Sequence, residues 1–189
     1  QFVPRASVRA TYCDLPATTR SAIAMALSPD LQLLASTHGD HTVKVLCCTR
    51  KRCIQTLQGH TRTPWTVKFH PHSNDIVVSG GLDSEVRVWQ VSTGACLLAR
   101  RIHLHAIASV SFHSSGRLLA IAQAQHVYMW GEAVLGTRDG PRGPEGGREV
   151  SAEEVSACFA GEPARFTSLS QPVRCASFRR TALGECLFV

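Results

Sequence analysis

No run of this 189-residue sequence approaches the roughly 18 consecutive apolar residues needed to cross a bilayer, so no membrane span is expected. Gln1 to Arg20 also lacks the charged-then-apolar order of a secretory leader. The eight cysteines, at positions 13, 47, 48, 53, 96, 158, 175 and 186, form no Cys-x-x-Cys pair and are read as reduced thiols. Cys47, Cys48 and Cys53, with His38 and His41, come nearest to a ligand cluster. Cys47 and Cys48 point to opposite faces of one strand, however, and no metal or cofactor is expected. A Gly-rich phosphate loop and a Gly-x-Ser-x-Gly elbow are both missing, and the histidine pairs His70/His72 and His103/His105 fall in turns, which leaves no acid, base and nucleophile for an enzyme. Aromatic residues make up only 6% of the chain, and none is interleaved with the basic groups Arg50-Lys51-Arg52, Arg100-Arg101 and Arg179-Arg180. The net charge of +6 therefore points to solvated faces, then to an acidic protein partner, and only last to nucleic acid.

What is present is repetition. Gly59 to Val91 holds three short strands with turn residues between them: Trp65, Val67 and Phe69 alternate with polar residues, Ile76 to Ser79 is apolar, and Val86, Val88 and Trp89 close the unit. Similar units lie on either side. The residues ending each first strand, Leu27, Phe69, Phe112 and Phe178, recur at separations of 42, 43 and 66, and third-strand runs begin at Val43, Val86 and Val127. A period near 40 to 45 residues with about four strands per unit is the signature of propeller blades. Arg52 to Leu57 and Ala95 to Arg100 suit the outer strands.

The chain divides accordingly into an extended lead-in at 1–21, blades one to three over 22–130, a Gly- and Pro-rich insert at 131–165, and an outer strand with a truncated fourth blade at 166–189. The insert reads as a solvated loop whose removal leaves the fold nearly unchanged. Within it, Ser151 and Glu154 have capping-box spacing and predict a short helix to about Phe159. Val173, Cys175 and Ser177 are expected to open the fourth blade. The first residue is Gln1 rather than Met, and Leu187-Phe188-Val189 reads as mid-strand, so the chain is expected to be a fragment.

Gly59-His60 and Trp89-Gln90 stand where WD40 repeats carry their Gly-His and Trp-Asp dipeptides, and the chain resembles that family. The resemblance implies an all-β fold of about three and a half WD40-type blades, an incomplete β-propeller. It also implies a structural tetrad of His60, Ser79, Asp83 and Trp89, hydrogen-bonded in series because buried polar groups need partners. Ser36 and Asp40 in the first blade and Trp130 in the third are partial copies. Leu46 replaces the first blade's Trp, while Ala122 and Gln123-Ala124-Gln125 replace the third blade's Ser and Asp.

Asp14-Leu15-Pro16, the runs from Leu27, Gly59, Ser79 and Ala106, and above all Arg62-Thr63-Pro64-Trp65 resemble the N-terminal repeats of the Ambra family of autophagy regulators. That resemblance implies a non-enzymatic cytoplasmic scaffold, reaching autophagic membranes through partners. The implied roles are substrate receptor of a cullin-RING ubiquitin ligase and positive regulator of autophagosome assembly. The implied partners are the ligase adaptor, the beclin complex, and C-terminal repeats of the same protein that complete a split propeller. The family's adaptor-docking pattern, Trp-Asp followed by Arg, reads here as Trp89-Gln90-Val91-Ser92 and Trp130-Gly131-Glu132. The alternatives are a generic WD40 interaction scaffold and a basic chromatin- or RNA-binding WD40 protein, the latter requiring the positive groups to gather on one face.

Overall fold

Short alternating segments separated by turn residues form four antiparallel sheets in a computed structural model that describes residues 13–131, 150–181 and 184–189. The lead-in up to residue 12 and the stretch 132–149 of the expected insert lie outside the described residues. The first blade contains β1 (Ala22–Leu27), β2 (Leu33–His38), β3 (Val43–Cys47) and β4 (Arg52–Leu57), hydrogen-bonded in that order. The second contains β5 (Pro64–Phe69), β6 (Ile76–Gly81), β7 (Glu85–Gln90) and β8 (Cys96–Arg101). The third begins with β9 (Ile107–Phe112), β10 (Leu118–Gln123) and β11 (His126–Gly131), and its outer strand, β12 (Ala164–Ser168), arrives only after helix α1 (Ala152–Cys158). A hairpin of β13 (Ser177–Thr181) and β14 (Gly184–Phe188) follows. This is an incomplete, unclosed propeller of about three blades, with first strands β1, β5 and β9 side by side.

The turns repeat because the same positions bend. His41 and Ser84 both have positive φ between the second and third strands of their blades. The preceding Asp40 and Asp83 bond the backbone N–H two residues on at 3.2 Å, which offsets the strain of a left-handed residue. Between blades the core is apolar. Val43, Val45 and Leu57 meet Val67, Val77 and Trp89 in the first cleft, and Val78 and Val88 meet Val110, Ile121 and Trp130 in the second.

Three features differ from the sequence expectation. Trp65 does not share the buried alternation of Val67 and Phe69, since a bulge between Pro64 and Thr66 turns the indole out to 48% exposure. The strand of the last hairpin starts at Ser177 and runs past Phe178 to Thr181, because Arg179-Arg180-Thr181 supplies no turn after Phe178. Val173 instead is buried, its N–H bonded to the Ala124 carbonyl at 2.6 Å. Finally, the segment after 150 packs on the blades. Val155 and Phe159 are 2% and 1% exposed within the second core, so over these described residues the insert is not the solvated loop expected.

Candidate functional site

The second blade brings His60, Ser79, Asp83 and Trp89 together. His60 leaves the loop before β5 and lies over Gly81, where a Cβ would come within 3.0 Å of its Nδ1. His60 Nδ1 is 2.8 Å from Asp83 Oδ2 and Nε2 is 2.7 Å from Ser79 Oγ, while Trp89 Nε1 donates to Ser79 Oγ at 2.8 Å. Thr61 N–H adds a 3.0 Å bond to Asp83. Burial opposes ionisation of Asp83, but the bonds from His60 and from the N–H groups of Glu85 and Thr61 outweigh it and hold the carboxyl below its ordinary range. The order Ser–His–Asp matches a hydrolytic triad in distance. Ser79, however, is 0% exposed and its oxygen already accepts the indole N–H, so no substrate carbonyl reaches it.

In the first blade Ser36 and Asp40 do not join one chain. Ser36 Oγ meets Nε2 of His38 at 2.8 Å, and His38 Nδ1 bonds the Arg20 carbonyl at 2.8 Å. His38 occupies the strand position that is Gly81 in the second blade, so the imidazole comes from β2 rather than from the preceding loop. Sequence reading by loop position missed it, although a His where the next repeat has Gly was the available signal. Asp40 turns instead to the buried Lys44, whose Nζ lies 2.6 Å away, and to the Thr42 hydroxyl at 2.6 Å. Against the cost of burial, these bonds hold the Asp40 carboxyl down to about 2.

The third blade departs furthest. Pairing of Leu119 with Phe112 and with Trp130, where the second blade pairs Val77 with Phe69 and Trp89, places Ile121, not Ala122, at the position of Ser79, because the turn between β9 and β10 is one residue shorter than that between β5 and β6. Trp130 Nε1 therefore finds no hydroxyl and donates to the Gly161 carbonyl at 2.7 Å, beyond α1. Phe159 stands edge-on to Trp130, with ring centroids 5.3 Å apart. His103, the counterpart of His60, is exposed against the Tyr128 ring, and Gln123 donates to the His105 carbonyl. His70 and His72 bond the Gly116 and Ser114 carbonyls at 3.1 and 2.6 Å, tying the second blade to the third.

Of the remaining motif, Arg62 reaches the Leu82 carbonyl at 3.4 Å, the Thr63 carbonyl accepts Leu82 N–H, Pro64 is buried opposite Gly81, and Trp65 stands exposed beside them. The basic groups are spread out. Arg52 pairs with Cys47 at the end of β3, Arg101 with Glu85 at the start of β7, and Arg179 lies in the last hairpin. In the run Trp89-Gln90-Val91-Ser92, Gln90 and Ser92 are both held by the Asp75 carboxylate. Among the described residues no group of three or more His, Cys, Asp or Glu is placed to hold a metal, and no helix is long and apolar enough to cross a membrane.

Residues 12–46 and 51–90 match the family model for the WD domain, G-beta repeat. Over 117 residues, 62% of this chain, the sequence is 39% identical to activating molecule in BECN1-regulated autophagy protein 1A of Danio rerio and 40% identical to protein 1B. Coronin-7 of Mus musculus is 35% identical over 108 residues, 56% of this chain. The chain spans 9%, 8% and 11% of the lengths of these three relatives. The blade architecture and the matching residues show that this chain carries WD40 repeats, and these repeats resemble the N-terminal ones of the Ambra autophagy regulators.

Proposed function

We propose that the chain is a non-enzymatic Ambra-like scaffold, one part of a WD40 propeller that other repeats of the same protein complete. The reading rests on an internal comparison. Val67 and Phe69 in β5 are 1% and 7% exposed beneath the first blade, whereas their counterparts in β1, Met25 and Leu27, are 63% and 52% exposed. Identical positions are thus covered in one blade and bare in the other, and the surface that covers them is a preceding blade. His60, Ser79, Asp83 and Trp89 act here as a structural chain that stiffens the second blade, leaving the loops to recognise proteins. By analogy with its relatives, the completed propeller presents substrates to a cullin-RING ubiquitin ligase through the adaptor. It also promotes autophagosome assembly with the beclin complex in the cytoplasm.

Size-exclusion chromatography with light scattering tests the first step. The chain alone is expected to self-associate, and co-expression with C-terminal repeats of the protein to give a monodisperse complex that retains purified adaptor. A cooperatively melting monomer of the bare chain refutes the open-blade reading. Retention failure of the completed complex refutes only the ligase role.

A further inference from the structure

An arginine three residues before a serine is the charge pattern by which Arg-directed Ser/Thr kinases recognise an extended substrate, and an apolar residue directly after the serine strengthens it. The sequence has this spacing at Ser151, Ser168 and Ser177, preceded by Arg148, Arg165 and Arg174. The structure separates the three. Ser151 caps α1, its hydroxyl accepting the Glu154 N–H at 3.2 Å, and only Ala152 follows it. Ser177 opens β13, where it is half-buried, pairs with Phe188 and follows the buried Ala176. Ser168 is exposed at the end of β12, with the exposed Arg165 before it and Leu169, 41% exposed, directly after it.

The backbone around Ser168 is equally open. β12 pairs with β11 alone and forms the outer edge of its sheet, and four of its five residues are exposed. An extended strand held along one edge, with little buried side chain, is the part of the blade that lifts away at least cost, and a kinase cleft takes such a chain.

The same strand pair also supplies receivers for a phosphate. Ser168 Oγ lies 2.9 Å from Nδ1 of His126, its partner across the strands. Arg165 stands opposite Tyr128, and the register shift between Val127 and Tyr128 absorbs one extra residue of β12, so Arg165 and Ser168 share a face although three residues separate them. The Tyr128 ring meets His126 edge-on, with centroids 6.1 Å apart, and its hydroxyl is buried without a hydrogen-bond partner. Burial holds this phenol above its ordinary range against the pull of Arg165, so it stays a donor.

We propose that Ser168 is a phosphorylation site for an Arg-directed Ser/Thr kinase, and that His126 and Arg165 receive the phosphate in cis and fasten β12 to β11. In the transfer the Ser168 oxygen forms a bond to the γ-phosphorus of ATP as the bond to the ADP oxygen breaks, and the hydroxyl proton passes to the kinase's base. The product carries about two negative charges at neutral pH and three acceptor oxygens, enough to keep the bond to His126 and to add one from Arg165.

Phosphorylation of the full 189-residue chain by the catalytic domain of a calmodulin-dependent Ser/Thr kinase with Mg-ATP, with sites mapped by mass spectrometry, tests the site. Most of the phosphate is expected on Ser168, Ser168→Ala should remove it, and Arg165→Gln should lower the initial rate at least ten-fold. Both side chains are exposed, so neither substitution threatens the fold. Phosphate on Ser151 or Ser177 in place of Ser168, or a rate indifferent to Arg165, overturns the assignment. Hydrogen exchange of the peptide 163–169 before and after phosphorylation tests the receivers. Exchange is expected to slow about three-fold, and His126→Ala to abolish the slowing. Exchange that is unchanged or faster in the phosphorylated chain overturns the contact in cis.

Discussion

Trp89→Ala removes the largest side chain shared by the first and second blades. The indole is wholly buried among Val67 and Val77 of its own blade and Ala35, Val45 and Leu57 of the preceding one. Large-to-small substitution at such a site costs about 3–5 kcal/mol, because the surrounding strands are hydrogen-bonded on both edges and relax little. Loss of the bond to Ser79 adds about 1 kcal/mol, limited by the partner that Ser79 keeps in His60. At roughly 2–4 °C per kcal/mol for a domain of this size, the melting point should fall by about 10–20 °C. Trp89→Phe keeps most of the burial and should cost only about 1–2 kcal/mol. Thermal and urea denaturation of both variants, with Ser79→Ala and the double substitution, isolates the polar share as a coupling of about 1 kcal/mol. Melting of the alanine variant within about 2 °C of the unsubstituted chain would refute the assignment of Trp89 to this interface.

Burial, partly opposed by the Gly116 carbonyl, brings the His70 imidazole down to about 4. The unfolded chain therefore binds a proton that the folded chain does not between the ordinary value of 6.5 and about 4, and stability should drop by about 3 kcal/mol as pH falls through that window. His70→Gln should flatten this part of the urea-midpoint profile and leave the later loss, between 3.8 and about 2 where Asp40 titrates, in place. Deleting residues 150–162 should destabilise the chain by about 3–5 kcal/mol through loss of Phe159.

The blade architecture was legible because each repeat carries its own strand alternation and turn residues, and because Gly59-His60 and Trp89 fall at the two ends of one contiguous unit. Ser151 and Glu154 announced the helix, since a capping box needs only local spacing. What escaped detection depended on register and on tertiary partners. A single bulge at Trp65 reversed the facing of a strand end, and a turn one residue shorter between β9 and β10 moved the position of Ser79 from Ala122 to Ile121. His38 was hidden because a histidine inside a strand looks like any polar residue until Arg20 and Ser36 meet its two nitrogens. The Gly and Pro content around α1 masked Val155 and Phe159, whose four-residue spacing acquires meaning only when a groove faces it.

The late arrival of β12 bears on how the chain is made. About thirty residues separate the end of β11 from the start of β12, which at roughly 5–20 residues per second is a delay of a few seconds during synthesis. Throughout that interval the first two blades have emerged complete, while the third has one edge of β11 unpaired and Trp130 without its acceptor. An exposed, largely apolar strand edge is a template for other nascent chains. Translation speed through this stretch, more than the stability of any finished blade, should therefore set the yield of native protein, with pausing before Ala164 favouring aggregation and holdase binding.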